Sequence, residues 1–135
     1  MTPRRPACWH EAGHIAAFRG LLDARVKYVA FFPRGGARTR LLVPVSRDGD
    51  LWGRVLCLLA GPAAEARFVG GRYAGQCESD FDRAERVIAR LDLALDEAWP
   101  HALDLVDRQR RPIARLACHL VHYGIVDEAA LSALL

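Results

Sequence analysis

The stretch ACWHEAGHIAAFRGL, residues 7–21, constrains the chain more than any other. Ile15, Phe18, Leu21 and Leu22 recur at helical spacing and Gly20 lies near the end, which predicts a helix over residues 7–22. Two histidines stand four apart in it, and a glutamate follows the first. Residues i and i+4 share a helix face, so His10 and His14 can each aim one imidazole nitrogen at a single ion. Glu11 can reach a water beside that ion without ligating it and serve as a base. Ala12 and Gly13 keep the face open for close packing beneath a metal. The plainer alternative is a pair of polar residues on a partly exposed helix.

A catalytic zinc takes three protein ligands and keeps one position open. The third ligand must come from elsewhere in the chain. Asp80, Glu65, Glu78, Asp82, Cys77 and the pair His119 and His122 are the candidates. The histidine pair falls in the last turn of a helix before Gly124, where the helix dipole favours histidine without any metal. Spacing does not choose among the acids. Two imidazoles and a carboxylate suit zinc.

The rest of the pattern predicts an α+β fold, predominantly helical, with a small antiparallel β-sheet. VKYVAFFP, residues 26–33, reads as a strand closed by Pro33. RGGART follows as a flexible turn, then RLLVPV as a shorter strand, which Pro44 assigns to an edge or an irregular segment. Asp50 can cap a helix beginning at Leu51, with Leu51, Val55, Leu58 and Leu59 on its apolar face. Pro62 predicts a kink or break there before the pattern resumes as AAEARFV. GGRYAGQCE reads as a loop. Ser79 then caps a helix to residue 91, with Asp82 completing a capping-box-like pair. Its stripe is Phe81, Ala84, Val87, Ile88 and Leu91. Residues 100–123 form another helix, kinked or divided by Pro112 and ended by Gly124. Asp127 opens a short last one. At 135 residues the chain is expected to form one domain, with a basic arm, MTPRRP, at residues 1–6.

A net charge of +3 gives no electrostatic case for nucleic-acid binding, and Arg34, Arg38 and Arg40 read as solvated surface. Cysteines stand at 8, 57, 77 and 118, without a CxxC pair or a preceding signal peptide. Reduced thiols in a cytoplasmic protein are expected, with Cys57 and Cys118 as small buried hydrophobes. The longest apolar run, VLCLLAGPAA, is too short to cross a bilayer, so no membrane anchor is expected.

HEAGH, then VKYVAFFPRGGARTR, then LLAGPAAEARFVGGRYAGQCESDFDRAERVIARL, taken in order over residues 7–91, resembles the peptidase domain of the FtsH family of ATP-dependent zinc proteases. The resemblance implies that His10 and His14 ligate Zn2+, that Glu11 is the catalytic base and that Asp80 supplies the third ligand, from the first turn of its helix. Ser79 stands where the family carries asparagine, and Pro62 where it carries arginine. Glu65 matches the acid of the family's Ala-Ala-Glu and is expected to orient a ligand or a buried backbone group, with a reserve role as third ligand. No GxxxxGK[ST] occurs, so no P-loop is present. The implied activity is that of a zinc metalloendopeptidase without its own ATPase. Its substrates would be peptides or flexible protein segments, unless a partner ATPase or regulator acts in trans. The strand at residues 26–32 would hold the substrate backbone by β-augmentation, with Phe31 and Phe32 as pocket residues or as core. A zinc-containing peptide- or protein-binding module with little turnover is the alternative. An intact Glu11 counts against it, because metal storage needs no base.

Overall fold

The computed structural model describes residues 5–21, 26–31, 37–41, 50–71 and 76–135. Helices dominate them: α1 (Arg5–Leu21), α2 (Leu51–Phe68), α3 (Gln76–Ala89), α4 (Leu95–Arg108), α5 (Arg110–Tyr123) and α6 (Glu128–Leu134). Strands β1 (Val26–Phe31), β2 (Ala37–Leu41) and β3 (Ile125–Asp127) make one antiparallel sheet in the order β2-β1-β3.

α1 starts two residues before the sequence pattern places it. Pro6 lies in its first turn, where a missing N–H costs nothing, so it extends the helix instead of closing the basic arm. α2 begins as expected, with the Asp50 carboxylate accepting the Gly53 N–H at 2.8 Å. It then runs on through Pro62, so of the expected kink or break the break does not occur. Burial accounts for this, because every residue from Leu59 to Glu65 is buried. Packing on all sides outweighs one lost backbone hydrogen bond.

α3 starts at Gln76, so Ser79 is an exposed residue inside the helix and not its cap. Asp80 is the fifth residue of the helix, beyond the first turn. The helical stretch expected over residues 100–123 is divided, as Pro112 allowed, into two helices, and the first begins earlier than expected, at Leu95. There the Glu97 carboxylate accepts the Ala94 N–H at 2.7 Å. The division falls at Gln109. Pro112 has no N–H for the Arg108 carbonyl, which frees the chain to turn there and places Pro112 in the first turn of α5. Gly124, with φ of 73°, ends α5 in the left-handed conformation, and Asp127 caps α6 by accepting the Ala130 N–H at 2.9 Å.

β2 begins at Ala37, so Ala37, Arg38 and Thr39 are strand and not turn. Pairing with β1 decides this: Phe31 stands opposite Ala37 and Ala30 opposite Arg38. The remainder of the expected second strand, residues 42–45, lies outside the described residues. β3 carries no pattern long enough to announce it. It exists because Val126 pairs with Val29 of β1.

One hydrophobic cluster joins Cys8 and Ile15 of α1, Val55 and Leu59 of α2, Ile88 of α3, Val106 of α4, Leu116 and Leu120 of α5, Val126 of β3 and Leu131 of α6. Cys8, Cys57 and Cys77 are buried, but Cys118 is exposed, contrary to expectation. The buried face of α5 is Ile113, Leu116, Ala117 and Leu120, and residue 118 falls outside that stripe. No described helix is long and apolar enough to cross a membrane.

Candidate metal centre

Among the described residues, besides three cysteines, four ionisable side chains are buried with the core: His10, His14, Glu65 and Asp80. α1 contributes the two histidines from one face, α2 contributes Glu65 and α3 contributes Asp80. The helices come close because α1 and α2 meet through small residues. Gly13 abuts the Ala60 carbonyl and the Ala64 methyl.

Three atoms converge. His10 Nε2 lies 2.6 Å from Asp80 Oδ2, His14 Nε2 lies 2.9 Å from the same oxygen, and the two nitrogens are 3.0 Å apart. The far nitrogen of each ring is engaged. His10 Nδ1 donates to Glu65 Oε1 at 2.7 Å, and His14 Nδ1 donates to the Cys57 carbonyl at 2.8 Å. With those protons on Nδ1, each Nε2 faces the same carboxylate oxygen, with a lone pair when its ring is neutral and with a donated N–H when its ring is protonated. Such a set is stable only around a positive charge.

In the metal-free protein that charge is a proton. Burial pulls the His10 pKa down, but hydrogen bonds to Asp80 and Glu65 outweigh it and raise the value to about 9. Burial pushes the Asp80 carboxyl up, but hydrogen bonds from His10 and His14 outweigh it and lower the value to about 2. The same electrostatics suits a divalent ion. Zinc bonds to imidazole and carboxylate run ~2.0–2.2 Å, so three donors spaced like these can share one ion after modest expansion. His10, His14 and Asp80 thus form a set that could hold a metal.

A second set, His10, Glu65 and Cys77, gathers on the other side of His10. Cys77 Sγ is 3.8 Å from His10 Nδ1, beside the Glu65 contact. Glu65 accepts the Nδ1 hydrogen bond and so aims Nε2 at the converging site. Carboxylates often support metal-binding histidines in this way. Cys8 and Cys57 are not thiolates: burial raises them to about 11 and about 12, with Glu11 adding to the first and Asp50 to the second. Glu11 is half-buried on α1 between the histidines.

Among the other acids, Glu78 and Asp82 are exposed. His119 and His122 make ring contacts with Tyr123, at 4.6 and 5.1 Å, and do not belong to either metal-competent set. What singles out Asp80 is its burial, which the fold supplies. Cys77, Asp80, Ala84 and Ile88 are the buried positions of α3, and 80, 84 and 88 repeat at i+4. Asp80 is the one acid among 78, 80 and 82 on that stripe. Sequence reasoning misses the Cys57 carbonyl, which no side-chain pattern reveals, and Gly61, which lies against both imidazoles.

The substrate strand expected from sequence meets a topological obstacle. β1 is the central strand, paired to β2 on one side and, at Tyr28 to Ala30, to β3 on the other. Its hydrogen-bonding edges are therefore used within the fold, because β3 returns to it after α5. The side chain of Phe31, and Phe32 altogether, lie outside what is described. No protein-family model matches the chain, and no curated protein matches it.

Proposed function

We propose that this chain is an FtsH-like zinc metalloendopeptidase domain that hydrolyses peptide bonds. The observation that carries the reading is the convergence of His10 Nε2, His14 Nε2 and Asp80 Oδ2, with Glu11 beside the first ligand on the same helix. The order of motifs quoted from the sequence supports the same family. Bound zinc would acidify a water and polarise the scissile carbonyl. Glu11 would take a proton from the attacking water and return one to the leaving amine. Glu65 and the Cys57 carbonyl keep both rings in the tautomer that ligation needs.

Among the described residues no strand pairs with the other edge of β2, so an extended substrate would add to Ala37–Leu41 and not to β1. Suitable substrates are peptides and flexible protein segments, delivered by diffusion or by an ATPase partner. Cys8, Cys57, Cys77 and Cys118 are not joined in disulfides, which fits a reducing compartment such as the cytoplasm.

The test is mass-spectrometric detection of fragments when the zinc-loaded chain meets an unfolded protein, with Glu11→Gln alongside. Cleavage by the wild type is expected, and loss of cleavage in the variant with zinc still bound. Equal cleavage by both would remove Glu11 as the base. Zinc binding without cleavage by either would favour a zinc-dependent peptide-binding module.

A further inference from the structure

Gly61 is an odd residue for its place. It lies inside α2, where glycine weakens a helix relative to alanine, and its backbone conformation does not demand glycine. The reason lies in its surroundings. A Cβ at residue 61 would strike His14 Nε2 and stand 2.7 Å from His14 Cε1 and 2.8 Å from His10 Nε2. Both nitrogens are those that converge on Asp80. The rings cannot swing away freely, because Glu65 holds one and the Cys57 carbonyl holds the other.

Gly13 provides a contrast within the same helix pair. A Cβ there would meet the Ala60 carbonyl oxygen and would lie 2.8 Å from the Ala64 Cβ, which are packing atoms of α2 and not ligands. One glycine sets how closely α1 and α2 approach. The other leaves space at the donor atoms.

We infer that Gly61 is a positioning residue of the metal centre: the missing side chain keeps room at both histidine Nε2 atoms for a cation. The inference rests on reading His10, His14 and Asp80 as metal ligands. Any side chain at 61 would displace the imidazoles from the geometry that their Nδ1 partners impose, or take the space of the ion.

The experiment measures zinc affinity by competition with a chromogenic chelator for wild type, Gly61→Ala and Leu116→Ala. Far-ultraviolet circular dichroism and thermal unfolding of the metal-free proteins accompany it. Gly61→Ala should lose affinity by about 10- to 100-fold, the range for groups that orient metal ligands, with helical content retained. Leu116→Ala, a cavity in the fully buried stripe of α5 and away from the ligand atoms, should lower the unfolding temperature but leave the affinity of its folded fraction near that of wild type. Wild-type affinity in Gly61→Ala, or losses of affinity in both variants that merely follow their losses of stability, would overturn the inference.

A double-mutant cycle keeps the test decisive if Gly61→Ala folds poorly. His14→Ala removes the ring that the methyl would strike most closely. In that background Gly61→Ala should cost much less stability than in the wild type. Equal costs in both backgrounds would show that the imidazole is not what the glycine accommodates. A wild-type chain that binds no zinc would defeat the metal reading, while the cycle, measured without metal, still tests the contact.

Discussion

α1 and α2 meet through alanine and glycine, whereas α4 and α5 bury leucine, isoleucine and valine beside their alanines. On α1, residues 12–17 form a continuous buried run, and on α2 the run is 59–65. The buried positions of α5, Ile113, Leu116, Ala117 and Leu120, instead follow one stripe with charged residues opposite. The difference follows from what each pair must carry. A stripe of large side chains makes a strong but simple contact, since burial of apolar area is non-directional. The first pair encloses buried acids and imidazoles, each needing a partner at hydrogen-bond distance. Small residues let the backbones approach until Glu65 and the Cys57 carbonyl reach the rings. The α1–α2 seam, one half of this comparison, therefore supplies geometry, and the other half, the apolar stripes by which α5 packs on α1 and α4 on α2, supplies stability in bulk.

The largest expected effect tests that division from the stable side. Leu116→Ala, in the fully buried stripe of α5, should cost about 2–5 kcal/mol in denaturant unfolding. Zinc affinity of the folded fraction should hardly change. A collapse of affinity in step with stability would show that the two halves are not separable.

From the other side, Glu65→Gln removes the carboxylate behind His10 while keeping the side chain's size. Zinc affinity should fall by about 10- to 100-fold in a competition titration. An unchanged affinity would reduce Glu65 to a packing residue and weaken the contrast between the halves.

The gentlest test is pH, because its effect spreads over several units. In the metal-free protein His10 is raised from 6.5 to about 9, so its stabilising contribution is complete below 6.5 and is lost as the pH rises through about 9. Asp80 is lowered from 3.8 to about 2, so its contribution is present above 3.8 and is lost as the pH falls through about 2. Thermal unfolding without metal should therefore show these two contributions together between those ordinary values of 3.8 and 6.5, declining on either side. Zinc must displace the His10 proton, so apparent affinity should rise with pH up to about 9. A zinc affinity flat across that range would mean that His10 carries no proton to displace.

Legibility in the sequence differs between the halves for the same reason. α5 announces itself by apolar spacing and by Gly124, and α6 by its Asp127 cap. α1 announces itself by HEAGH more than by periodicity, since residues 12–17 are buried all round. Pro62 misleads because helix propensity is local, while the burial that carries α2 through it is not. Ser79 misleads because its cap signal takes no account of the stripe that starts at Cys77.

The sequence by itself determined that two histidines and a glutamate share one helix and that Asp50, Gly124 and Asp127 mark helix ends. These are short-range facts, set by a period of 3.6 residues and by the chemistry of unpaired backbone groups. Only the tertiary structure decided that Asp80 and Glu65 address the two nitrogens of one imidazole, that β1 is enclosed between β2 and β3, and that residue 61 has no room for a side chain. Each of those depends on groups dozens of residues apart in the chain brought within a few ångströms. Close packing of the whole core fixes such distances, and no local pattern encodes them.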